Sequence, residues 1–291
     1  MDEELHDHDR GLSFDLSTLM ARRRLFTVFA GAGLAALVAG CGSDSKTSAT
    51  SATAAPSSAS TGVAPGTTLP AGSVATTAAA SSALTVIPEE TAGPYPGDGS
   101  NGVNVLSESG IVRSDIRSSF GSSSTVAEGV ATTIKLTLVD AKGAAPLPGA
   151  AVYIWHCDAA GLYSLYSAGA TAENYLRGVQ AADSNGVVTF TSIYPACYAG
   201  RWPHIHFEVY PSLADATSAS NKLATSQLAL TEAASAAVYA TAGYPQSTRN
   251  LSQVSLSTDM VFSDGAELET PVIAGSVADG FSIALTAAIT T

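Results

Sequence analysis

The sequence predicts an all-β domain, a β-sandwich of mainly antiparallel strands. Charged residues make up only 13% of the chain, and Ser, Thr, Ala, Gly and Val dominate, which favours β structure and flexible segments over helices. Residues 133–138 alternate between polar and apolar side chains, as a half-buried strand does. Further short apolar segments are separated by Gly, Pro and Asn turns, and this spacing is typical of sandwiches.

Three further strands are predicted where the chain is rich in β-branched and aromatic residues. Residues 151–155 form one candidate strand, and residues 187–193 form another after the turn signal at 183–186. Residues 204–209 alternate between His or Glu and apolar side chains, which gives the third strand. Residues 229–242 are predicted as either a short helix or a loop.

The first part of the chain, residues 1–41, is predicted to be an export signal. Three arginines precede an apolar run at 25–38, which is shorter than the ~20 residues that span a bilayer. Arg23-Arg24-Leu25-Phe26 resembles a twin-arginine signal, and the segment ending at Cys41 resembles a lipobox, whose cysteine is lipidated. An uncleaved membrane anchor is the alternative. In both cases we expect the remainder outside the cytoplasm, in the cell envelope or the extracellular space.

Residues 42–83 are predicted to be a disordered linker, and residues 84–291 the folded domain. The linker consists of Ser, Thr, Ala, Gly and Pro with almost no large apolar residue, so it cannot bury enough surface to offset its ordering entropy. The net charge of −12 argues against nucleic acid as a partner. Membrane contact is expected only through a lipid on Cys41.

Two histidines provide the first candidate for chemistry. Residues two apart on a strand face the same side, so His204 and His206 project together and could bind one metal ion. A pair of outward-facing polar histidines is the alternative. Tyr163, Tyr194 and Tyr198 lie nearby in the sequence, and a phenol with a pKa of about 10 ionises at neutral pH only beside a strong cation. Oxygen and imidazole ligands together favour iron over a soft metal.

Two stretches surround these candidate ligands, Trp155-x-x-Asp158-x-x-Gly161-x-Tyr163-Ser164 and Pro195-x-x-Tyr198-x-Gly200-Arg201-x-x-His204-x-His206. Together they resemble the intradiol ring-cleavage dioxygenases. Weaker similarities occur at Thr91-x-Gly93-Pro94-Tyr95, Ser226-Gln227-Leu228 and Asp259-x-Val261-Phe262. The resemblance covers about residues 84–265.

The resemblance implies a non-haem Fe(III) enzyme that opens catechol-type rings with O2 to muconate-type diacids. It implies four protein ligands, which are Tyr163, Tyr198, His204 and His206. A catechol would bind as a chelating dianion, and a bound hydroxide and the displaceable ligand Tyr198 would each take one of its protons.

The resemblance also implies roles for two further residues. Arg201 would stabilise negative charge on the ring, and Gln227 would lie near the substrate and O2. A surface ion pair for Arg201 and a merely buried amide for Gln227 are the alternatives. The family spacing favours Tyr198 over Tyr194 and Tyr163 over Tyr166. Tyr95 could either line the pocket or belong to the core.

The chain departs from well-studied members of this group in several respects. It carries an export signal, the connection from Tyr198 to Arg201 is short, and two cysteines lie close to proposed ligands. We expect Cys157 and Cys197 to form a disulfide, because such bonds persist outside the cytoplasm; two separate buried thiols are the alternative. His156 is expected to point away from the metal.

The sequence therefore leaves two functions open. The first is an enzyme that acts on a small catechol-type substrate and O2, and that could form a homodimer. The second is an extracytoplasmic module that binds phenolics or iron chelates without turnover.

Overall fold

A computed structural model describes residues 83–291 of the chain. The predicted export signal at 1–41, and the predicted linker up to residue 82, lie outside the described residues. Among residues 83–291, no helix has the length and apolar character needed to cross a membrane.

The domain is a sandwich of two four-stranded sheets, as predicted. In chain order the strands are β1 (Ala131–Asp140), β2 (Ala151–Trp155), β3 (Arg177–Ala181), β4 (Val187–Ile193), β5 (His204–Tyr210), β6 (Ala224–Ala229), β7 (Val272–Ser276) and β8 (Gly280–Ile289). One sheet has the order β4-β1-β8-β7, and the other has the order β3-β2-β5-β6. Only β1 and β8 pair in parallel; every other strand pair is antiparallel.

The hydrophobic core fills the space between the two sheets. Ile134 of β1 and Phe190 of β4 face Ile154 of β2 and Phe207 of β5, and all four side chains are fully buried. Buried and more exposed residues alternate along the first part of β1, which confirms the period-two pattern predicted for residues 133–138. Each such side chain contributes roughly 1.5–3 kcal/mol through removal of apolar surface from water.

Strand β5 differs from the outer strands because all seven of its residues are buried. It lies between β2 and β6, so both of its edges are paired. One face turns Ile205, Phe207 and Val209 into the core. The other face carries His204 and His206, and additional segments of the chain cover this face.

One of the covering segments precedes β1 and has little regular structure. The backbone N–H of Ile87 donates to the carbonyl of Ala288 in one sheet, and the N–H of Glu90 donates to the carbonyl of Thr225 in the other. This N-terminal arm, residues 83–130, therefore contacts both sheets. Its route was not predicted, because it contains no periodic apolar pattern.

Two short helices and two 3-10 turns complete the described part of the chain. Helix α1 (Glu232–Tyr239) forms in the stretch predicted as a helix or loop, and α2 (Ser247–Leu251) follows it. The 3-10 turns are Ala219–Asn221 and Phe262–Asp264. The second of these turns lies next to the candidate site.

Candidate metal centre

The pleat of β5 places two imidazoles side by side. His204 and His206 are both 2% exposed, and their Nε2 atoms are 3.1 Å apart. The ring of His206 stacks on Trp155 of β2, with centroids 4.8 Å apart and planes inclined by 5°. These contacts follow from the strand register, since Trp155 pairs with His206.

Two loops bring phenols to the same point. The Tyr163 Oη lies 3.4 Å from the Nε2 atoms of both His204 and His206. The Tyr198 Oη lies 3.2 Å from the Nε2 of His204. The structure thus brings together all four residues that the sequence singled out as candidate ligands.

A glycine allows the two loops to approach each other. Gly161 has a φ of +89°, and a Cβ at this position would lie 3.4 Å from the Cβ of Tyr198. Any residue with a side chain would be strained in this backbone conformation. Gly161 therefore allows the Tyr163 loop to pass beside Tyr198.

Burial keeps the two imidazoles neutral. It lowers the pKa of His204 and of His206 well below the usual value; the positive charge of Arg201 lowers that of His204 further, and His204 does the same for His206. The Nδ1 of His204 lies 2.5 Å from the carbonyl oxygen of Trp202. A neutral His204 that donates this hydrogen bond presents its Nε2 lone pair to the cluster.

Tyr163 needs a nearby cation in order to ionise near neutral pH. Burial raises the pKa of Tyr163 well above its usual value, and the neighbouring Tyr198 adds to the shift. Arg201 opposes this rise, but burial and Tyr198 outweigh it, so Tyr163 is protonated beside the two neutral imidazoles. A bound cation would reverse the shift at Tyr163, because an opposite charge favours the ionised form.

The four side chains fit a metal ion in spacing and in chemistry. Donor atoms bound at roughly 2.0–2.2 Å from a common ion lie about 3–3.5 Å apart, and the observed contacts span 3.1–3.4 Å. Two phenolate oxygens and two imidazole nitrogens suit iron. Within residues 83–291, no group of three or more His, Cys, Asp and Glu side chains could hold a metal, so the tyrosines are essential to this site.

Arg201 is buried beside the cluster, with 3% of its surface exposed. Its Nε donates to Asp259 Oδ2 at 3.0 Å, and its Nη2 donates to Gln227 Oε1 at 2.8 Å. Burial by itself would lower the pKa of Arg201, but Tyr198 and Asp259 outweigh this effect and raise it. The alternative of a surface ion pair is therefore wrong: Arg201 does form an ion pair, but a buried one.

Gln227 lies on β6, directly opposite His206 in the strand register. It is fully buried. Its Oε1 accepts from Arg201, and its Nε2 donates to the carbonyl of Thr91 in the N-terminal arm at 2.8 Å. Gln227 thus links the arginine to the segment that covers the site.

Two tyrosines considered as rivals of the ligands lie elsewhere. Tyr194 packs against Tyr239 and hydrogen-bonds Ser235, as expected of a packing residue. Tyr166 donates to the side chain of Asn101. Those contacts place both tyrosine hydroxyls outside the donor cluster.

Two further residues considered from the sequence, His156 and Tyr95, lie around the donor cluster. His156 contacts Ser192 and the carbonyl of Cys157 rather than the cluster, as predicted, and burial lowers its pKa to about 4. The ring of Tyr95 lies 4.9 Å from that of Tyr163, so Tyr95 lies against a proposed ligand and packs on the core.

The expected disulfide between Cys157 and Cys197 is wrong. Both residues are free, buried thiols. The Sγ of Cys157 points to the carbonyl of Ala196, whereas that of Cys197 points to the carbonyl of Arg201. Convergence of their neighbours on one site does not require the two sulfur atoms to face each other.

Two charged residues near the site were not identified as functional from the sequence. Asp259 belongs only to one of the weakly similar stretches, Asp259-x-Val261-Phe262. Arg177 on β3 belongs to none of the similar stretches, and it is buried, with 1% of its surface exposed. The guanidinium of Arg177 donates to the carbonyls of Tyr95, Pro96 and Ser164. No sequence signal identifies these residues, because their partners are distant in the chain.

Comparison with known proteins gives two kinds of match. The family model Dioxygenase_C, described as Dioxygenase, matches residues 121–208, a range that includes the four candidate ligands. An intradiol ring-cleavage dioxygenase from Tetranychus urticae is similar in structure, with a TM-score of 0.57 and 26% identity over 71% of this chain and 95% of that one. The dioxygenase Tetur07g02040 gives a TM-score of 0.56 and 26% identity over the same shares. No curated protein gives a significant match.

The free thiols lead to a direct chemical prediction. Alkylation of the denatured, unreduced protein and subsequent peptide mass mapping should find both Cys157 and Cys197 modified. Before denaturation both should react slowly, because burial raises the pKa of Cys157 and raises that of Cys197 to about 12, and only thiolates react. A peptide pair linked through these two residues would contradict the structure.

Proposed function

We propose that the domain is a non-haem Fe(III)-dependent intradiol dioxygenase, which uses O2 to open catechol-type rings to muconate-type diacids. The observation that carries the proposal is the convergence of two phenols and two neutral imidazoles, with donor contacts of 3.1–3.4 Å, beside a buried arginine. The Dioxygenase_C match and the similarity to the Tetranychus urticae dioxygenase support the reaction class.

Iron would be held by Tyr163, Tyr198, His204 and His206. When bound, Fe(III) supplies the charge that ionises the phenols, a chelation point for both catechol oxygens, and the activation of the ring towards O2. The protein supplies the orientation of these groups. It also supplies the neutral state of the imidazoles, whose lone pairs are available because burial disfavours their protonation.

The two tyrosines have different environments, which support different roles. Tyr163 is 2% exposed, whereas Tyr198 is only partly buried. Tyr163 lies on an anchored loop, because its N–H donates to Ser167 Oγ at 2.8 Å and the next residue is held by Arg177. We therefore assign Tyr163 as the permanent ligand. Tyr198, the less buried of the two proposed ligands, would accept a proton from a catechol hydroxyl at its Oη.

Arg201 would stabilise negative charge that develops on the ring. Its charge interacts with both Tyr163 and Tyr198, which places it near the region where substrate oxygens would bind. Its hydrogen bonds to Asp259 and Gln227 fix the guanidinium before substrate arrives. A preorganised charge in a site without water stabilises a transition state without the cost of reorientation.

We also propose that the chain is exported and anchored by a lipid on Cys41. The arginines at positions 22–24, the short apolar run and the lipobox-like segment support this location. The linker at 42–83 would then connect the lipid to the catalytic domain, which would act outside the cytoplasm on small phenolic compounds.

Removal of a proposed ligand tests the metal centre. The purified protein should bind one iron per chain and should be coloured by phenolate-to-Fe(III) charge transfer. His204→Ala should lose iron and colour, because one of four ligands is removed. Tyr194→Phe is the matched control and should keep both, since Tyr194 contacts Ser235 instead. Metal analysis that finds zinc in a colourless, freshly prepared protein would exclude the proposed centre.

Oxygen uptake with catechols tests the reaction and the role of Arg201. Arg201→Ala should retain iron and colour but should lose about 10²–10³ in turnover, the usual effect of removing one preorganised electrostatic group. Arg117→Ala is the control; this arginine forms an exposed pair with Asp115, with side chains 42% and 49% exposed, and such pairs contribute at most ~1 kcal/mol.

Two outcomes of this experiment would change the assignment. Equal rates for Arg201→Ala and the parent protein would contradict the catalytic role of Arg201. Iron-loaded parent protein that binds several catechols but consumes no O2 would favour a module that binds phenolics or iron chelates.

The proposed anchor predicts a defined N-terminus. Intact mass measurement of the membrane fraction should find a chain that begins at Cys41 and carries a lipid. Cys41→Ser should abolish lipidation, whereas Ser43→Ala should have no effect. A membrane-associated protein that retains residues 1–40 would instead support the uncleaved anchor.

A further inference from the structure

We propose that Asp259 is a positioning residue that fixes the orientation of both Arg201 and His204. A single buried carboxylate would then control the orientation of the proposed catalytic cation and of one proposed metal ligand. The part of this inference that concerns turnover rests on the function proposed above. The part that concerns His204 depends only on metal binding.

The carboxylate of Asp259 is fully buried and is saturated with hydrogen bonds. Its Oδ2 accepts from the Arg201 Nε at 3.0 Å and from the Trp202 N–H at 2.6 Å. Its Oδ1 accepts from the N–H groups of Val261 and Phe262 at 2.8 and 3.2 Å. The second pair of bonds fixes the carboxylate to the turn that begins the Phe262–Asp264 segment, so it has little freedom to follow its partners.

The link from Asp259 to Arg201 is direct. The ion pair is buried, with side-chain exposures of 3% and 0%, and Gln227 holds a second nitrogen of the same guanidinium. The ring of Phe262, from the turn that holds Asp259, lies 5.9 Å from the Cζ of Arg201. Two hydrogen bonds from different nitrogens of a planar group fix both its position and its plane.

The link from Asp259 to His204 passes through Trp202. The Trp202 N–H donates to Asp259, and the Trp202 carbonyl oxygen lies 2.5 Å from the Nδ1 of His204. The indole Nε1 donates to the carbonyl of Leu230 at 2.7 Å. Trp202 is therefore held by three hydrogen-bonding contacts. A shift of the Asp259 carboxylate would move the Trp202 carbonyl and, with it, the imidazole of His204.

Asp259→Asn in the full-length, iron-loaded protein is the principal test. The substitution preserves size but removes the charge that pairs with Arg201. We expect turnover to fall by about 10–100-fold, as for other residues that orient ligands, while KM changes little. Iron content should be retained, because all four ligands remain. The charge-transfer band should shift, because the hydrogen-bonded support of His204 changes.

Glu269→Gln is the control for the loss of a buried carboxyl. Glu269 is also a fully buried acid, but its side chain accepts a hydrogen bond from Ser226 rather than from Arg201 or Trp202. The same loss of a buried carboxyl should leave the position of the charge-transfer band and the turnover close to those of the parent. A general effect of removing buried acids would alter both variants alike.

Combination with Arg201→Ala separates positioning from simple destabilisation. If Asp259 acts on turnover through Arg201, Asp259→Asn should cost little further turnover once Arg201 is alanine, because the two substitutions then remove the same contribution. The full loss in that background would overturn this part of the proposal. So would unchanged turnover and an unchanged band in Asp259→Asn itself.

Asp259→Glu keeps the proposal testable if Asp259→Asn fails to fold. It retains the charge but displaces the carboxylate by one methylene, and we expect about a 10-fold loss of turnover and a shifted band. Parental activity together with a parental band would show that the carboxylate position does not matter. If the parent protein binds iron but consumes no O2, the proposed function fails, and the band shift still decides whether Asp259 positions His204.

Discussion

The pleat of β5 is the constraint on which the rest of the site depends. On one face of this strand Ile205, Phe207 and Val209 pack in the sandwich core, and on the other face stand the two imidazoles. Because both sets share one backbone, neither can move without the other. Because the histidine face is also buried, the imidazoles lose contact with water, and their lowered pKa values keep them neutral. Neutral nitrogen donors fixed by a packed sheet are suited to hold a metal ion. Trp155 and Gln227 take their places beside His206 through the registers of β2 and β6.

Loops, and not strand β5, supply the two phenols of the site. The two phenols come from irregular segments that pass beside each other at Gly161 and Tyr198, and side-chain hydrogen bonds hold both segments. The raised pKa of Tyr163 means that ionisation of this phenol and cation binding are coupled. Metal binding would therefore release protons and would strengthen with rising pH, as for other sites whose ligands must be deprotonated.

Features set by local periodicity are the ones that the sequence predicts best. The placement of His204 and His206 on one face results from their spacing, and the strand at 187–193 results from its composition and the preceding turn. The convergence of Tyr163 with Tyr198 is predicted only by the family resemblance. Asp259 lies 58 residues from Arg201, and no local pattern reports such a contact. The disulfide prediction failed because nearness of two backbones does not fix the direction of two sulfur atoms.

The two buried arginines near the site, Arg201 and Arg177, have different partners. One pairs with a carboxylate and the other with neutral acceptors, and this difference affects the electrostatics of the site. Arg201 has Asp259 as a counter-ion, which fixes its orientation, and its charge still adds to the lowering of the pKa of His204 and of His206 by burial. Arg177 forms no ion pair within residues 83–291, and it donates instead to the carbonyls of Tyr95, Pro96 and Ser164 and to two hydroxyls.

Hydrogen bonds to neutral acceptors satisfy the donors of Arg177 without cancelling its charge. Its positive field therefore extends into the surroundings. Burial, His204 and Arg201 lower the pKa of His206, and Arg177 adds to this shift; burial raises the pKa of Tyr153, and Arg177 opposes that rise. Arg177 also ties the N-terminal arm to the loop that carries Tyr163. Arg177 thus joins the arm to the Tyr163 loop and, together with Arg201, makes the surroundings of the site more favourable for anions, as the proposed phenolate ligands and anionic substrate would require.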